Sequence, residues 1–308
     1  MDQGCNSRHV SWLELNMFLA GIIPAVALML GMFFLPCSPR WLAKKGNYGK
    51  AFFVLNKLRL SSNAAEIELS SIIDSTRHKT NSWRALFHHK IRKTLLIGVG
   101  LAVIQQVTGI NTILYYAPTI FQSSGFNEAS SAILASVGIG IVFLVFTIVG
   151  LFLVDSVGRK PLLYIGVTLM GLSLGTTAFA FHLNVVLLST KIILLGSILT
   201  YVLAFAISLG PIPWLMISEV FPTHVRGFGA SIATFFNWAA NALVAMSFLT
   251  CIDFFGKSNT FLIYLISCVL SIIFIFYCVP ETKQCSLETV EANLMEGKKL
   301  KELGSMPS

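Results

Sequence analysis

The chain has 308 residues, of which 55% are hydrophobic and only 12% charged; its mean hydropathy is +0.76 and its formal net charge +8. That balance excludes an ordinary soluble domain and indicates an all-α polytopic membrane protein. The basic excess falls on the segments between apolar runs, so it reads as a topological bias and not as a nucleic-acid surface.

In chain order, residues 1–16 read as an extracytoplasmic amino-terminal segment and 17–36 as a first crossing. The charges that flank this crossing follow it, which favours a retained outside-to-inside anchor over a cleaved signal peptide. Residues 37–93 form the one large hydrophilic insertion. There KKGNYGKAFFVLNKLR has helical apolar spacing, and SSNAAEIELSSIIDS has the Ser and Glu placement of a helix start. Short helices on the cytoplasmic face are expected, or a basic patch that touches anionic lipid.

Further crossings are predicted at about 94–117, 130–154, 162–181, 186–217, 229–250 and 260–279, which makes 94–280 a six-helix region. The run at 186–217 is too long for one straight crossing and predicts tilt or a break. Residues 281–308 read as a tail that ends in a short fraying helix. Seven crossings put the two ends on opposite sides. Twelve Lys and Arg residues lie in 40–93, and Arg159, Lys160, Arg226 and four tail lysines fall on the same side. Only Arg8, Lys191 and Lys257 fall on the other, so the amino terminus is predicted outside and the carboxyl terminus in the cytoplasm. The six cysteines show neither metal-ligand spacing nor a disulfide framework and read as packing residues.

Three apolar stretches carry polar chemistry. Residues 102–118, AVIQQVTGINTILYYAP, hold Gln105, Gln106 and Asn111 followed by Tyr115 and Tyr116. An unpaired amide in lipid costs several kcal/mol, so these amides meet either another helix or a neutral, hydroxyl-rich ligand such as a sugar. Ser208–Glu219 contains Gly210, Pro211 and Pro213, which break a helix, with Trp214 directly after them. An indole there can stack on a sugar ring or pack as part of a hinge. FFNWAANAL sets Asn237, Trp238 and Asn241 together, with the two asparagines one turn apart; small residues nearby make helix packing the simpler reading.

No Asp, Glu, Lys or Arg sits in the middle of a crossing, where a proton-driven carrier normally keeps a titratable group. Charge gathers at the cytoplasmic helix ends instead: Arg40, Asp155, Arg159, Glu219, Arg226 and Glu281. Opposite charges there can pair when the inner side is closed and part when it opens, or they can be ordinary helix-end charges.

The stretches PCSPRWL, QQVTGINTILYYAP, DSVGRKP, GPIPW, SEVFPTHVRG, FFNW and VPETK occur in the order found in the sugar porter family of the major facilitator superfamily. The resemblance covers about residues 12–293. It implies a carrier that works by alternating access, in which the first crossing resembles the family's sixth helix and the other six resemble helices seven to twelve. The chain then lacks the first five helices, with the helix-one carboxylate that symporters of the family use.

By the same resemblance Gln105, Gln106 and Asn111 match sugar-contacting amides, and Tyr115 and Tyr116 the aromatic pair that closes over the sugar. Trp214 matches a stacking residue, and Asn237, Trp238 and Asn241 match eleventh-helix contact positions. The six helix-end charges match an inner gate. Cys37, Ser156 and Gln284 depart from the family pattern, and Phe143 stands where glucose facilitators place a sugar-contacting asparagine.

The expectation is therefore transport of a hexose or pentose across the cell membrane, the bacterial inner membrane in particular, proton-coupled in the complete protein. No enzymatic chemistry, cofactor or metal is expected. The expected partners are the sugar, the bilayer, and a separate amino-terminal half or a second copy. A non-transporting remnant of a split gene and a membrane sensor that uses residues 37–93 are the alternatives.

Overall fold

The computed structural model describes residues 19, 21–59, 61–77, 86, 88, 91–122, 129–183, 188–222, 224–285 and 287–304, and every regular element among them is helical. They fall into two compact units, residues 1–79 and 80–308. The segment predicted at 1–16 lies outside the described residues.

In the first unit, α1 (Ile22–Phe34) is apolar throughout and buries no residue against protein. Its 13 described residues are fewer than the roughly 20 that span a bilayer, and residues 17, 18 and 20 of the predicted crossing lie outside the description. The hydrophilic insertion folds as α2 (Pro39–Lys44), α3 (Tyr48–Leu58) and α4 (Ser62–Arg77). Pro39 opens α2 at a position where its missing N–H is no loss. The Asn47 side chain caps α3 by accepting from the Lys50 N–H at 3.4 Å. The three helices share a core of Leu42, Ala43, Ala51, Val54, Leu55, Ala65 and Ile72. Arg59 holds Glu68 through two hydrogen bonds, which joins the end of α3 to α4.

The second unit comprises α5 (Arg92–Val107), α6 (Ile110–Gln122), α7 (Ala129–Val157), α8 (Arg159–His182), α9 (Leu188–Ile207), α10 (Ile212–Val220), α11 (Arg226–Cys278), α12 (Leu287–Glu296) and a 3-10 turn at Leu300–Glu302. Among the described residues, five stretches are long and apolar enough to cross a membrane: Arg92–Ile120, Ser136–Val157, Arg159–His182, Leu188–Val220 and Arg226–Cys278. At 1.5 Å per residue α11 would be about 80 Å long if straight, more than twice a ~30 Å hydrocarbon core. Non-helical backbone at Gly256 (φ 78°, ψ 163°) divides it into two arms, near where the sequence separates its last two crossings.

Two further breaks lie mid-bundle. The run at 186–217 is interrupted between α9 and α10 at Ser208–Pro211, where proline and glycine remove helix continuity. The crossing predicted as continuous over 94–117 is also broken, at Thr108–Gly109. Gly109 has φ 91°, and a Cβ there would meet the Tyr264 ring at 3.0 Å, so only glycine fits both the backbone and the space.

The core threads Leu101, Ile113, Leu163, Met170, Val202, Phe205 and Phe261 through α5, α6, α8, α9 and the second arm of α11. The long α7 turns Ile141, Leu144, Ile148 and Phe152 outward, as a helix facing lipid does. The tail is more ordered than the fraying helix predicted. Asn293 donates to the Leu303 carbonyl at 3.0 Å, Leu303 is fully buried, and Gly304 packs on the Glu281 backbone. Of the tail, residues 286 and 305–308 lie outside the description.

Candidate functional site

The break at Thr108–Gly109 shapes the site. Tyr201 donates from Oη to the Thr108 carbonyl at 2.8 Å, and Thr108 Oγ1 donates to the Gln105 carbonyl at 3.2 Å, so the carbonyls released by the break find new donors. The break turns the start of α6 back toward the end of α5, and Asn111 Nδ2 donates to Gln106 Oε1 at 2.7 Å. An uninterrupted helix does not align residues five apart in this way.

Five predicted amides then join into one network. Gln106 Nε2 donates to Asn237 Oδ1 at 3.1 Å, and Asn237 Nδ2 donates to Gln105 Oε1 at 2.7 Å and to the Ala102 carbonyl at 2.9 Å. Asn111 Nδ2 also reaches Asn241 Oδ1 at 3.0 Å. Gln105 Nε2 donates to the Leu209 and Gly210 carbonyls, at 2.7 and 3.1 Å, which the α9–α10 break leaves without helical partners. The network therefore ties α5, α6, the first arm of α11 and the α9–α10 break. Gln105, Gln106, Asn237 and Asn241 are all buried. Both readings of these amides, ligand-facing and helix-joining, describe the same atoms.

The aromatic residues predicted for the site divide. Tyr116 stays with the network: its ring lies 5.0 Å from that of Phe248, and its hydroxyl donates to the Ala245 carbonyl at 3.4 Å, one turn beyond Asn241. Tyr115, Trp214 and Trp238 are exposed, at 57%, 43% and 60%. Among the described residues neither indole N–H of Trp214 and Trp238 has a protein acceptor. Phe143 on α7 packs against Phe205 with ring centres 6.3 Å apart. Phe143, which by the resemblance stands where glucose facilitators place an asparagine, thus makes an apolar contact with α9.

The helix-end charges are partly connected. Arg159 Nη2 bonds Glu219 Oε1 at 2.9 Å and lies 3.3 Å from Asp155, whose side chain is 81% exposed. Glu281 caps α8: its two carboxylate oxygens accept from the Arg159 and Lys160 backbone N–H groups at 3.1 and 2.9 Å. Gly158, with φ 106°, makes that approach possible, since a Cβ there would lie 2.9 Å from Glu281 Oε2. Arg226 donates to the Phe221 carbonyl, bracing the turn into α11. Arg40 belongs to the other unit.

Sequence reasoning missed two members of this cluster. Thr282 donates from Oγ1 to Glu219 Oε2 at 2.5 Å, and Lys283 Nζ to the Ser156 carbonyl. Their position in the quoted VPETK motif was the available signal.

The family described as "Sugar (and other) transporter" matches residues 6–294. Over 286 residues the chain is 40% identical to the galactose-proton symporter of Escherichia coli K12, covering 92% of this chain and 61% of that protein. It is also 40% identical over 287 residues to the D-xylose transporter of Levilactobacillus brevis, covering 93% and 62%. The chain thus spans about six-tenths of the length of these relatives. Among solved structures it resembles the proton:xylose symporter XylE bound to 6-bromo-6-deoxy-D-glucose, with a TM-score of 0.76 at 32% identity over 96% of this chain and 60% of that one. The inward open conformation of the xylose transporter XylE from E. coli gives 0.63 at 32% identity, over 93% and 59%.

Proposed function

The chain belongs to the sugar porter family of the major facilitator superfamily, and from that premise we propose that it forms the seven-crossing part of a monosaccharide carrier working by alternating access. In this reading α1 is the family's sixth helix, α5–α6 the seventh, α7 the eighth, α8 the ninth, α9–α10 the tenth, and the two arms of α11 the eleventh and twelfth. Residues 37–93 form the cytoplasmic linker, 281–308 the cytoplasmic tail, and the amino terminus lies outside.

The observation that carries the proposal is the uncharged network of Gln105, Gln106, Asn111, Asn237 and Asn241. Each amide both donates and accepts, so a sugar hydroxyl, which does the same, can replace a protein partner without leaving a buried group unpaired. Trp214 and Trp238 supply unspent indole donors and flat faces, and Tyr115 and Tyr116 close the site from outside. Arg159, Glu219 and Glu281, with Asp155 and Arg226, act as the inner gate. No ionisable side chain belongs to the amide network, so proton coupling in the complete carrier uses a group outside it.

The test is uptake of labelled glucose, galactose, arabinose and xylose in transport-null cells that express the chain, alone and with a five-helix amino-terminal partner. The control is Asn237→Ala at matched membrane levels. Saturable uptake of one sugar, abolished in the variant, is expected. Uptake that survives Asn237→Ala unchanged would overturn the assignment of the site.

A further inference from the structure

Away from the amide network, α5 and the two arms of α11 enclose a lateral groove of about 1110 Å³. Its walls are Leu96, Val99 and Val103 of α5, Phe235 of the first arm, and Leu270 and Phe274 of the second. Phe274 reaches over Gly100, whose missing side chain makes room for the ring: a Cβ there would lie 2.2 Å from it. The groove shares no residue with the amide network.

Three serines line the groove, but their hydroxyls are spent. Ser231 donates to the Gly227 carbonyl, Ser267 to that of Ile263 and Ser271 to that of Ser267, all on their own helix. A sugar or other polyol finds no free side-chain donor along these walls. The exception stands at one end. Arg92, the first residue of α5, lines the mouth and is exposed, and among the described residues its guanidinium has no hydrogen-bond or ion-pair partner.

An occupant that suits such a groove has a long apolar tail and one anionic group at its end. From Arg92 to Val107 the lining of α5 runs about 22 Å at 1.5 Å per residue, enough to take a chain reaching through one leaflet of a ~30 Å hydrocarbon core. The membrane around these helices supplies molecules of that form. We propose that the groove is a binding site for an anionic phospholipid, with an acyl chain along α5 and the headgroup phosphate on the Arg92 guanidinium.

The test is native mass spectrometry of the full chain purified in detergent and titrated with dioleoylphosphatidylglycerol or, separately, with dioleoylphosphatidylcholine. One phosphatidylglycerol per chain should be retained at about fivefold lower concentration than phosphatidylcholine, the ratio expected of one cation beside an anionic head. Arg92→Gln should erase that preference and Arg92→Lys keep it. Val103→Trp, which fills the groove, should lower retention of both lipids. Equal retention of the two lipids by the unsubstituted chain would overturn the proposal, and so would a preference unchanged in Arg92→Gln. Dimers that Val103→Trp abolishes while lipid retention persists would overturn it in favour of a second copy.

Discussion

In the middle of the larger unit, five carboxamides bond to one another, to two carbonyls freed by the α9–α10 break and to the Ala102 carbonyl. At one rim of it, Glu219, Arg159, Glu281 and Asp155 meet on helix ends. The first cluster is neutral and almost dry: Gln105 is 5% and Asn237 2% exposed. The second is charged and graded toward water, from the Arg159 side chain at 11% to Asp155 at 81%. Buried neutral bonds are each worth about 1 kcal/mol net but leave a penalty of about 1–3 kcal/mol when one partner is lost. Part-hydrated ion pairs cost little to separate, because water takes over. Recognition therefore suits the middle, and reversible opening suits the rim.

The largest effect expected is for Asn237→Ala. It removes the shared partner of Gln105 and Gln106 and should cost about 2–4 kcal/mol, read as a lower Tm of the purified chain together with the loss of uptake. If Tm falls by less than a degree, the amides are not the dry centre described above. Next comes Gly158→Ala, which imposes a Cβ at φ 106° and pushes on Glu281. A cost of about 1–2 kcal/mol is expected, with faster trypsin cleavage after Arg159 in inside-out vesicles.

Glu219→Gln should act in the same direction but more weakly, by about 1 kcal/mol, since Thr282 keeps an acceptor while Arg159 loses its charged one. Severalfold faster cleavage at the rim with Tm nearly unchanged would sharpen the contrast. Equal losses of Tm for Glu219→Gln and Asn237→Ala would break it.

The smallest effect lies at Glu68, where the hydrogen bonds from Arg59 hold the carboxyl below its usual range. A depressed folded value stabilises the α3–α4 pair above the unfolded carboxyl pKa of about 4.3, and that gain is lost as pH falls through the folded value. Limited proteolysis of residues 40–77 should therefore quicken slightly in acid. The pH dependence should vanish in Arg59→Gln.

Much of this was legible because polar residues in an apolar run are conspicuous. The amides at 105, 106, 111, 237 and 241 stand out without any structure, and Gly210–Pro211–Ile212–Pro213 announces its break through backbone chemistry. The pairing of these amides with one another was not legible, since it joins positions about 130 residues apart. The break at Gly109 was hidden because glycine alone in a helical pattern is usually tolerated; the ring of Tyr264 above it is what selects glycine there. The order in the tail was missed for a related reason. Its polar composition suggests fraying, and the contacts that hold it join residues about ten or more apart, as Asn293 to Leu303, or come from outside it, as Lys93 on the Gly297 and Lys298 carbonyls.

Gly304 lies so close to Glu281 that a Cβ on it would fall 1.5 Å from the Glu281 carbonyl oxygen. The same Glu281 caps α8, so one residue fastens both a transmembrane helix and the far end of the tail. The tail is thereby a mechanical reporter of the rim. An antibody fragment that grips residues 297–304 only when they are lifted away would pull the rim toward its open form. By thermodynamic reciprocity, any solute that opens the rim would tighten that antibody's grip by the same factor.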